Sequence, residues 1–471
     1  MFRMCRSHFR WLMTLPLWAA LLFLAACGGS GESLPTVQTV QLNDKGPISR
    51  SLTVTLSHSG TVEVDYWTAN ETPLRVQGAS PGNATQEIAL PRLRASSTYH
   101  YEVSTTTAGV RSLPQSAGSF QTGELPDDVK SITMTSTGQP SQPLTFLAVR
   151  SQFTGGVVFD AEGHIVWYGR TSVAPQGATR RANGNWVILL DGVGLAEFSP
   201  VGEQVRFFSQ SRMPTGTRIH HGVTPTASNT LLFLAFEYRT FGSVALNGES
   251  IWEWNPQDDS LVKRWSAFDF LDPAVDFGPR SLERDWFHAN SIVIGQHDNI
   301  IVSFHFLDQI LSIRPDFSAI EWRLGGPGST YTVSSEQATS GQHSARETAP
   351  DTILMFDNGF ARNDGGRFSR ALELKLDSTT QTASTHWQYR PNPDIWASVI
   401  SSVRRLANGN TVLTFGTPAG LNQSTGPISL HEVSPRGDLL WNAIITLPSG
   451  SVFQGDPIQS VGGETRAGSA P

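Results

Sequence analysis

A strand–turn–strand motif that recurs six times along the chain constrains the fold more than any other feature of the sequence. Each copy has an apolar strand, a polar turn and a second strand that ends near an aromatic residue. The copies lie at residues 157–167, 195–207, 251–265, 311–322, 372–387 and 430–441. The tryptophans that end the last four copies are separated by 57, 65 and 54 residues, a length that suits one four-stranded blade of a β-propeller.

A second motif, a polar turn with Asn-Gly or a polar substitute, precedes most copies of the first. It lies at residues 182–187, 227–232, 297–301, 349–353 and 407–412. Such turns supply the positive φ angles of tight hairpins. Each blade therefore has strand A before this turn, strand B after it, and strands C and D in the first motif. The pattern predicts an all-β fold with a six-bladed β-propeller over residues 144–455, whose start near Leu144 is poorly defined because the first blade lacks a clear turn of this kind.

The region before the propeller shows short alternating segments with turn residues between them, which predicts a β-sandwich over residues 36–123. Residues 93–103 resemble the late-strand region of a fibronectin type III domain, in which a tyrosine hydroxyl bonds to the backbone of the preceding corner. Residues 124–143 are predicted to be a linker, and residues 456–471 a flexible C-terminal tail.

The N-terminus is typical of an exported protein. Three arginines precede an apolar run at residues 11–26, so residues 1–26 are predicted to be a signal peptide. The run ends in Leu-Ala-Ala-Cys, which resembles the lipobox of bacterial lipoproteins and implies acylation of Cys27, with residues 27–35 as a tether. Gly28, rather than an acidic residue, after the cysteine resembles the pattern of lipoproteins that are sent to the outer membrane, so the anchor is expected at the periplasmic face of that membrane. The alternative is an ordinary secretion signal with an incidental cysteine.

Charge and cysteine content exclude two further possibilities. The net charge is −7 and the chain has no basic runs, which argues against a nucleic-acid partner. The two cysteines, Cys5 and Cys27, leave no intramolecular disulfide for the folded body, because the first lies in the signal peptide and the second would carry lipid. Stability must therefore come from a large core.

Four histidines occupy equivalent positions in the repeat. His220 and His221, His288, and His343 lie at the start of strand A in three successive blades. Because the A strands line the central channel, these imidazoles are expected to meet at one mouth of that channel. An isolated histidine in a β-protein is usually structural, and histidine clusters can also bind metal. Close metal-ligand spacing is missing here, so no metal is predicted.

The segments around these histidines resemble those of the bacterial aryl-sulfate sulfotransferases. The matching segments are residues 285–292, 321–326, 342–346 and 355–359, in the family's order and spacing. That family also places an N-terminal β-sandwich ahead of its propeller. The resemblance implies an enzyme that moves a sulfuryl group from an aryl sulfate donor to a phenolic acceptor by a ping-pong route, without a cofactor.

Carried over residue by residue, the resemblance makes His343 the nucleophile that takes the sulfuryl group as a transient sulfohistidine. His288 and Asn290 would hold the sulfuryl oxygens. His221, or His220, would face the group from another blade. Ser401 stands where the family has a hydroxyl residue.

Two positions depart from the family pattern. His305 stands where the family usually has an arginine that holds sulfate, and Gly222 follows His221 where an aspartate is common. The first change removes a fixed cation and the second a carboxylate that could orient an imidazole. These departures leave a second interpretation open, a catalytically inactive propeller lipoprotein that binds an anionic or aromatic ligand or an envelope protein partner.

Overall fold

The computed structural model describes residues 33–241, 244–278, 285–362 and 366–468, and its regular structure is almost entirely β. The predicted signal peptide and Cys27 lie outside these residues, so export and the lipid anchor stay predictions. Short helices lie at Asp127–Lys130, Gln210–Arg212, Ala267–Asp269 and Leu421–Gln423. Within the described ranges, no helix combines the length and apolar character that a membrane crossing requires.

Six antiparallel sheets form the blades of a propeller. Blades two to five have four strands each, named here from the inner to the outer strand. Blade two contains Pro175–Arg180, Trp186–Leu190, Gly194–Phe198 and Gln204–Ser209, and blade three contains Thr217–Pro225, Leu231–Phe241, Val244–Trp254 and Leu261–Ser266. Blade four contains Ala289–Ile294, Ile300–Phe304, Gln309–Ile313 and Ile320–Leu324, and blade five contains His343–Ala349, Thr352–Asp357, Arg370–Asp377 and Thr382–Tyr389. Each blade's inner strand contacts the inner strands of both neighbouring blades, which closes the ring around a central axis. The six-bladed propeller predicted from the repeat is confirmed.

The turns between inner and second strands have the backbone geometry that their sequences predict. One residue in each turn has a positive φ: Gly184, Asn229, Asp298, Asp351 and Gly409. Glycine, asparagine and aspartate adopt this left-handed conformation at the lowest cost. The second motif of the sequence therefore marks the hairpin between strands A and B of blades two to six.

Blade one combines strands from the two ends of the propeller sequence. Its inner strand is Ser451–Ile458, and its other strands are Leu144–Arg150, Thr154–Asp160 and Ile165–Arg170. The first blade lacks an Asn-Gly turn because no hairpin joins strands that lie about 300 residues apart. Because Ser451–Ile458 extends past residue 455 and pairs along Leu144–Arg150, the predicted start of a flexible tail at residue 456 is wrong.

Blade six has five strands because the predicted linker contributes one. Its strands are Ser402–Arg405, Thr411–Phe415, Ile428–Val433, Leu439–Thr446 and Thr133–Gly138. The linker predicted over residues 124–143 therefore includes an outer strand, which satisfies the edge that Leu439–Thr446 would otherwise expose. Its short polar sequence lacks the alternation on which the strand predictions relied.

The N-terminal region forms two sheets. One contains Val37–Gly46, Ser49–Leu56 and Thr85–Leu90; the other contains Thr465–Arg466, Leu74–Gln77, Thr61–Trp67, Thr98–Thr107, Val110–Arg111 and Ser116–Gln121. The C-terminal pair Thr465–Arg466 joins the second sheet, a further departure from the predicted flexible tail. The hydroxyl of Tyr99 accepts the backbone N–H of Arg94 at 2.9 Å, the corner contact expected there.

A single apolar cluster connects this sandwich to the propeller. It includes Leu52 and Val103 from the sandwich, Val129 from the intervening segment, and Val149 and Trp441 from blades one and six. Burial of such side chains is the main source of stability in a folded protein. The sandwich therefore packs directly against the blades where the ring closes.

Candidate active site at the propeller axis

Five histidines lie together near the axis of the propeller. His220 and His221 lie on the inner strand Thr217–Pro225 of blade three, and His288 directly precedes Ala289–Ile294 in blade four. His343 begins the inner strand of blade five, and His305 directly follows the second strand of blade four. All five belong to three adjacent blades, as the repeat positions predict for four of them.

The backbone is strained where these residues meet the axis. His221, His288, Ser344 and Ser401 have φ values of 48°, 51°, 57° and 82°, in the left-handed region that is costly for residues other than glycine. Register shifts accompany the first three, between Ile219 and Val223, Ala289 and Ser291, and His343 and Arg346. Bulges of this kind redirect side chains, here in equivalent places of neighbouring blades.

The imidazole rings form a continuous row. Ring centroids are 5.0 Å apart for His220 and His221, 4.8 Å for His221 and His288, 5.8 Å for His288 and His305, and 5.4 Å for His305 and His343. Phe306 and Phe360 pack against the rings of His288 and His305. The structure thus brings together the five histidines singled out from the sequence.

Asn358 sets the proton of His343. Nδ1 of His343 lies 2.8 Å from Oδ1 of Asn358 and 3.0 Å from the carbonyl oxygen of Gly341. The amide nitrogen of Asn358 donates to the carbonyls of Ala397 and Ile400 at 2.8 and 2.9 Å, which fixes the direction of its oxygen. Since Nδ1 faces two acceptors, it carries the proton, and in neutral His343 the lone pair is on Nε2.

Asp285 holds the neighbouring imidazole. Its Oδ2 atom lies 2.7 Å from Nδ1 of His288. Burial opposes protonation of His288, but the hydrogen bond and the charge of Asp285 outweigh it and raise the pKa of His288 above its ordinary value. His288 therefore keeps a proton on Nδ1, and its imidazolium form persists to higher pH than that of an ordinary imidazole.

A buried carboxyl group stands behind the histidine pair of blade three. Nε2 of His220 lies 2.7 Å from Oε2 of Glu249, and Nδ1 of His220 lies 2.8 Å from Nδ1 of His221. Burial raises the pKa of Glu249 well above its ordinary value and lowers the pKa of His220 to about 3. Both shifts favour the neutral pair, in which Glu249 donates its proton to His220 and His220 donates to Nδ1 of His221.

This arrangement decides which of the two histidines faces the axis. His220 is fully buried and stacks on Phe236, with ring centroids 3.6 Å apart. His221 contacts His288 and Phe453, the latter on the inner strand of blade one. Burial and the neighbouring His288 hold the pKa of His221 well below its ordinary value. Neutral His221, which accepts at Nδ1, carries its proton on Nε2.

Packing between neighbouring inner strands explains the glycine at position 222. A Cβ at this position would lie 2.8 Å from Cγ2 and 2.9 Å from the backbone nitrogen of Ile292, on the inner strand of blade four. An aspartate would force these inner strands apart. Asp285 and Glu249 instead supply the carboxyl groups next to the histidines.

An axial cavity of about 370 Å³ begins at His343 and extends along the inner strands of all six blades. Asn290 and Ser401 also line it. Asn290 donates to the carbonyl of Gln342 at 2.7 Å, next to His343, and its Oδ1 has no hydrogen-bond partner among the described residues. The hydroxyl of Ser401 accepts the N–H of Gly416 at 3.1 Å, so it is already engaged with the backbone.

A larger cavity of about 780 Å³ lies beneath residues 325–340, and none of the predicted site residues lines it.

His305 fills the position of the cation expected from the family pattern. It is buried, and its Nδ1 lies 3.3 Å from the carbonyl oxygen of Gly341, which His343 also contacts. One carbonyl therefore orients both rings. The inner strand of blade five, His343–Ala349, carries an arginine, Arg346, which lines the axial cavity.

A potential metal-binding group occurs away from the axis. Within the described ranges, one set of three histidine, cysteine or acidic side chains has its ligand atoms within 4.8 Å of one another: Asp160, Glu162 and His164. Arg94 contacts both of their carboxylates, so the group already has a counter-charge. The axial histidines do not form a set with this spacing.

Sequence reasoning missed the groups that orient the imidazoles. Asp285 and Asn358 lie in segments that carry the family resemblance, but the resemblance gave neither of them a role. The Asp285-to-His288 spacing is a local signal that could have been used. Glu249 lies on the third strand of blade three, and nothing in its neighbourhood in the sequence marks it.

Fold and site together define the class of the protein. It is a β-propeller in which imidazoles from several blades, each held by a hydrogen bond, meet at the axis. The family model for arylsulfotransferases (ASST) matches residues 129–440, more than half of the chain. The protein belongs to the arylsulfotransferase family, and its class of enzyme is a transferase.

The similarity to solved structures is low. A protein of unknown function from Bacteroides caccae is 13% identical, with 68% of this chain and 100% of that chain covered and a TM-score of 0.44. Virginiamycin B lyase from Staphylococcus aureus is 8% identical, with 67% and 99% covered and a TM-score of 0.36. No curated protein sequence matches significantly. The family match is therefore what bears on function.

Proposed function

We propose that the protein transfers a sulfuryl group from an aryl sulfate to a phenol through a sulfohistidine at His343. The observation that carries the proposal is the row of five axial imidazoles, at whose end Asn358 holds the proton of His343 on Nδ1 and so leaves the lone pair on Nε2. A neutral imidazole is a competent nucleophile near neutral pH. No nucleotide or metal is needed for this chemistry.

In the first step, Nε2 of His343 attacks sulfur, and an N–S bond forms as the aryl O–S bond breaks. The departing phenolate oxygen takes the proton from Nε2 of the imidazolium His288, whose other nitrogen is held by Asp285. A raised pKa suits a group that must be protonated before it reacts. The first phenol then leaves.

In the second step, the acceptor phenol gives its proton to the now neutral His288 while its oxygen attacks the same sulfur. The N–S bond breaks and the lone pair returns to His343. The sulfuryl oxygens carry charge in both steps and require fixed donors. The Nε2–H of His221 and the second amide N–H of Asn290, the one that does not donate to Gln342, are the groups we assign to them.

The test is the reaction of the protein with a chromogenic aryl sulfate in the absence of any acceptor. We expect a burst of phenol equal to the amount of protein, and a stable mass increase of one sulfuryl group on the peptide that contains His343. Adding a phenol should then discharge the label. A protein that gives steady hydrolysis without label, or no phenol at all, would contradict the covalent route.

The pairing of Asp285 with His288 predicts a shift in the pH profile. Because the pKa of His288 is raised, its acid form persists to higher pH than that of an ordinary imidazole, and activity should be lost as the pH rises through that pKa. Asp285→Asn removes the charge that raises it, so the alkaline limb of kcat/KM should move to lower pH by about one unit or more. An unchanged limb would show that another group is the acid.

Replacement of Glu249 tests whether its carboxyl group is neutral. In Glu249→Gln, the amide oxygen can accept the N–H of Ala289 as Oε1 does at 2.8 Å, and the amide nitrogen can donate to His220. We expect kcat/KM within about threefold of the parent. Glu249→Leu leaves His220 without its donor and should lower kcat/KM by about tenfold or more. A Gln variant as poor as the Leu variant would mean that the carboxylate is ionised.

A further inference from the structure

The axial cavity has the chemical character of a binding site for a small polar ligand. Its volume of about 370 Å³ is within the range that holds one-ring molecules. Three residues of its lining each have a buried polar atom without a hydrogen-bond partner among the described residues: Nε of Arg346, Oγ of Ser291 and Oδ1 of Asn290. Buried polar atoms are rarely left unpaired, so a ligand or ordered water is expected to satisfy them.

The charges that line the cavity do not cancel. Arg404 donates to Asp456 at 2.6 Å, and Gln454 donates to the same carboxylate at 2.7 Å, so Asp456 is already neutralised. Arg346 forms no ion pair in the part of the chain that the structure describes, and its side chain donates only a long hydrogen bond of 3.3 Å to Ser344 there. Burial and the nearby Arg404 lower the pKa of Arg346 to about 9, a cost that a bound anion would remove.

The unpaired atoms also limit what the ligand can be. Arg346 requires an acceptor, and Oδ1 of Asn290 is an acceptor that requires a donor, because it has no partner among the described residues while one N–H of the same amide donates to Gln342. A simple anion such as sulfate can satisfy the arginine but not the asparagine. A phenol that carries a carboxylate offers both, with the hydroxyl near His343 and the anionic group toward Arg346.

We propose that this cavity binds the acceptor and that Arg346 makes the enzyme prefer phenols that carry a carboxylate. The proposal rests on the proposed function, since it assigns the acceptor of that reaction. Arg346, three residues after His343 on the same strand, would then bind the acceptor's carboxylate group.

The experiment compares 4-hydroxybenzoate with its neutral analogue 4-hydroxybenzamide as acceptors for one aryl sulfate donor. We expect kcat/KM to be about tenfold higher for the benzoate in the parent protein. Arg346→Gln should erase that preference by raising the KM of the benzoate, with kcat unchanged and the benzamide within about twofold. Arg436→Gln is the matched control, because that side chain is 90% exposed.

Three outcomes would overturn the proposal: equal use of both acceptors by the parent, equal loss with both acceptors in Arg346→Gln, or loss in kcat alone. Equal loss would mean a structural role for Arg346. The acceptor-free burst is a separate measurement, so its presence without an acceptor preference rejects only this inference. If no burst occurs, calorimetric binding of the two compounds to the protein, with the same variants, tests the cavity independently of turnover.

Discussion

His343→Ala should release phenol from a chromogenic aryl sulfate at least about 1,000-fold more slowly than the parent protein. In the proposed route every turnover passes through Nε2 of this imidazole, so its loss removes the nucleophile and leaves no second group in line with sulfur. The neighbouring histidines do not compensate. Nδ1 of His288 is held by Asp285, and Nδ1 of His221 is held by His220.

The matched control for this variant is His386→Ala, an exposed histidine on the outer strand of the same blade. It should keep full activity and the parent's unfolding temperature. Free imidazole added to His343→Ala should restore part of the phenol release, since a small nucleophile can enter the vacated space. Activity of His343→Ala within tenfold of the parent would reject the covalent role of this residue.

A chain that ends at Gly450 should fail to form the propeller. The truncation removes Ser451–Ile458, the inner strand of blade one, with the buried side chains of Val452 and Phe453. It also leaves the polar backbone of Leu144–Arg150 without its partner on the axial side. The loss is on the order of 10 kcal/mol from apolar burial and strand pairing. This is comparable to the whole stability of a typical domain.

Thermal unfolding followed by circular dichroism measures this effect. A chain that ends at Ala467 or Gly468 is the control, because it keeps the inner strand and the Thr465–Arg466 pair. We expect it to unfold at the parent's temperature, while the shorter chain shows no cooperative transition. A cooperative transition at the parent's temperature in the shorter chain would mean that ring closure contributes little to stability.

The repeat made the propeller predictable because blade formation is a local event. Each A–B turn depends on one residue with positive φ, and each strand pairs with its neighbour in sequence. Blade one escaped this reasoning, since its inner strand comes from the far end of the chain. The strand Thr133–Gly138 escaped it as well, because its place at the edge of blade six depends on the finished sheet.

The candidate site, like the fold, could be predicted from the sequence only in part. The sequence alone was enough to identify which histidines recur at equivalent positions and that a propeller would gather them, because strand position within a repeat maps directly onto distance from the axis. Only the tertiary structure decided that His221 rather than His220 faces the axis, that Glu249, Asp285 and Asn358 assign the protons, and that Arg346 lines the cavity. Those contacts join residues from different strands through bulged, left-handed backbone. Their geometry arises from packing among blades, which no local pattern of residues encodes.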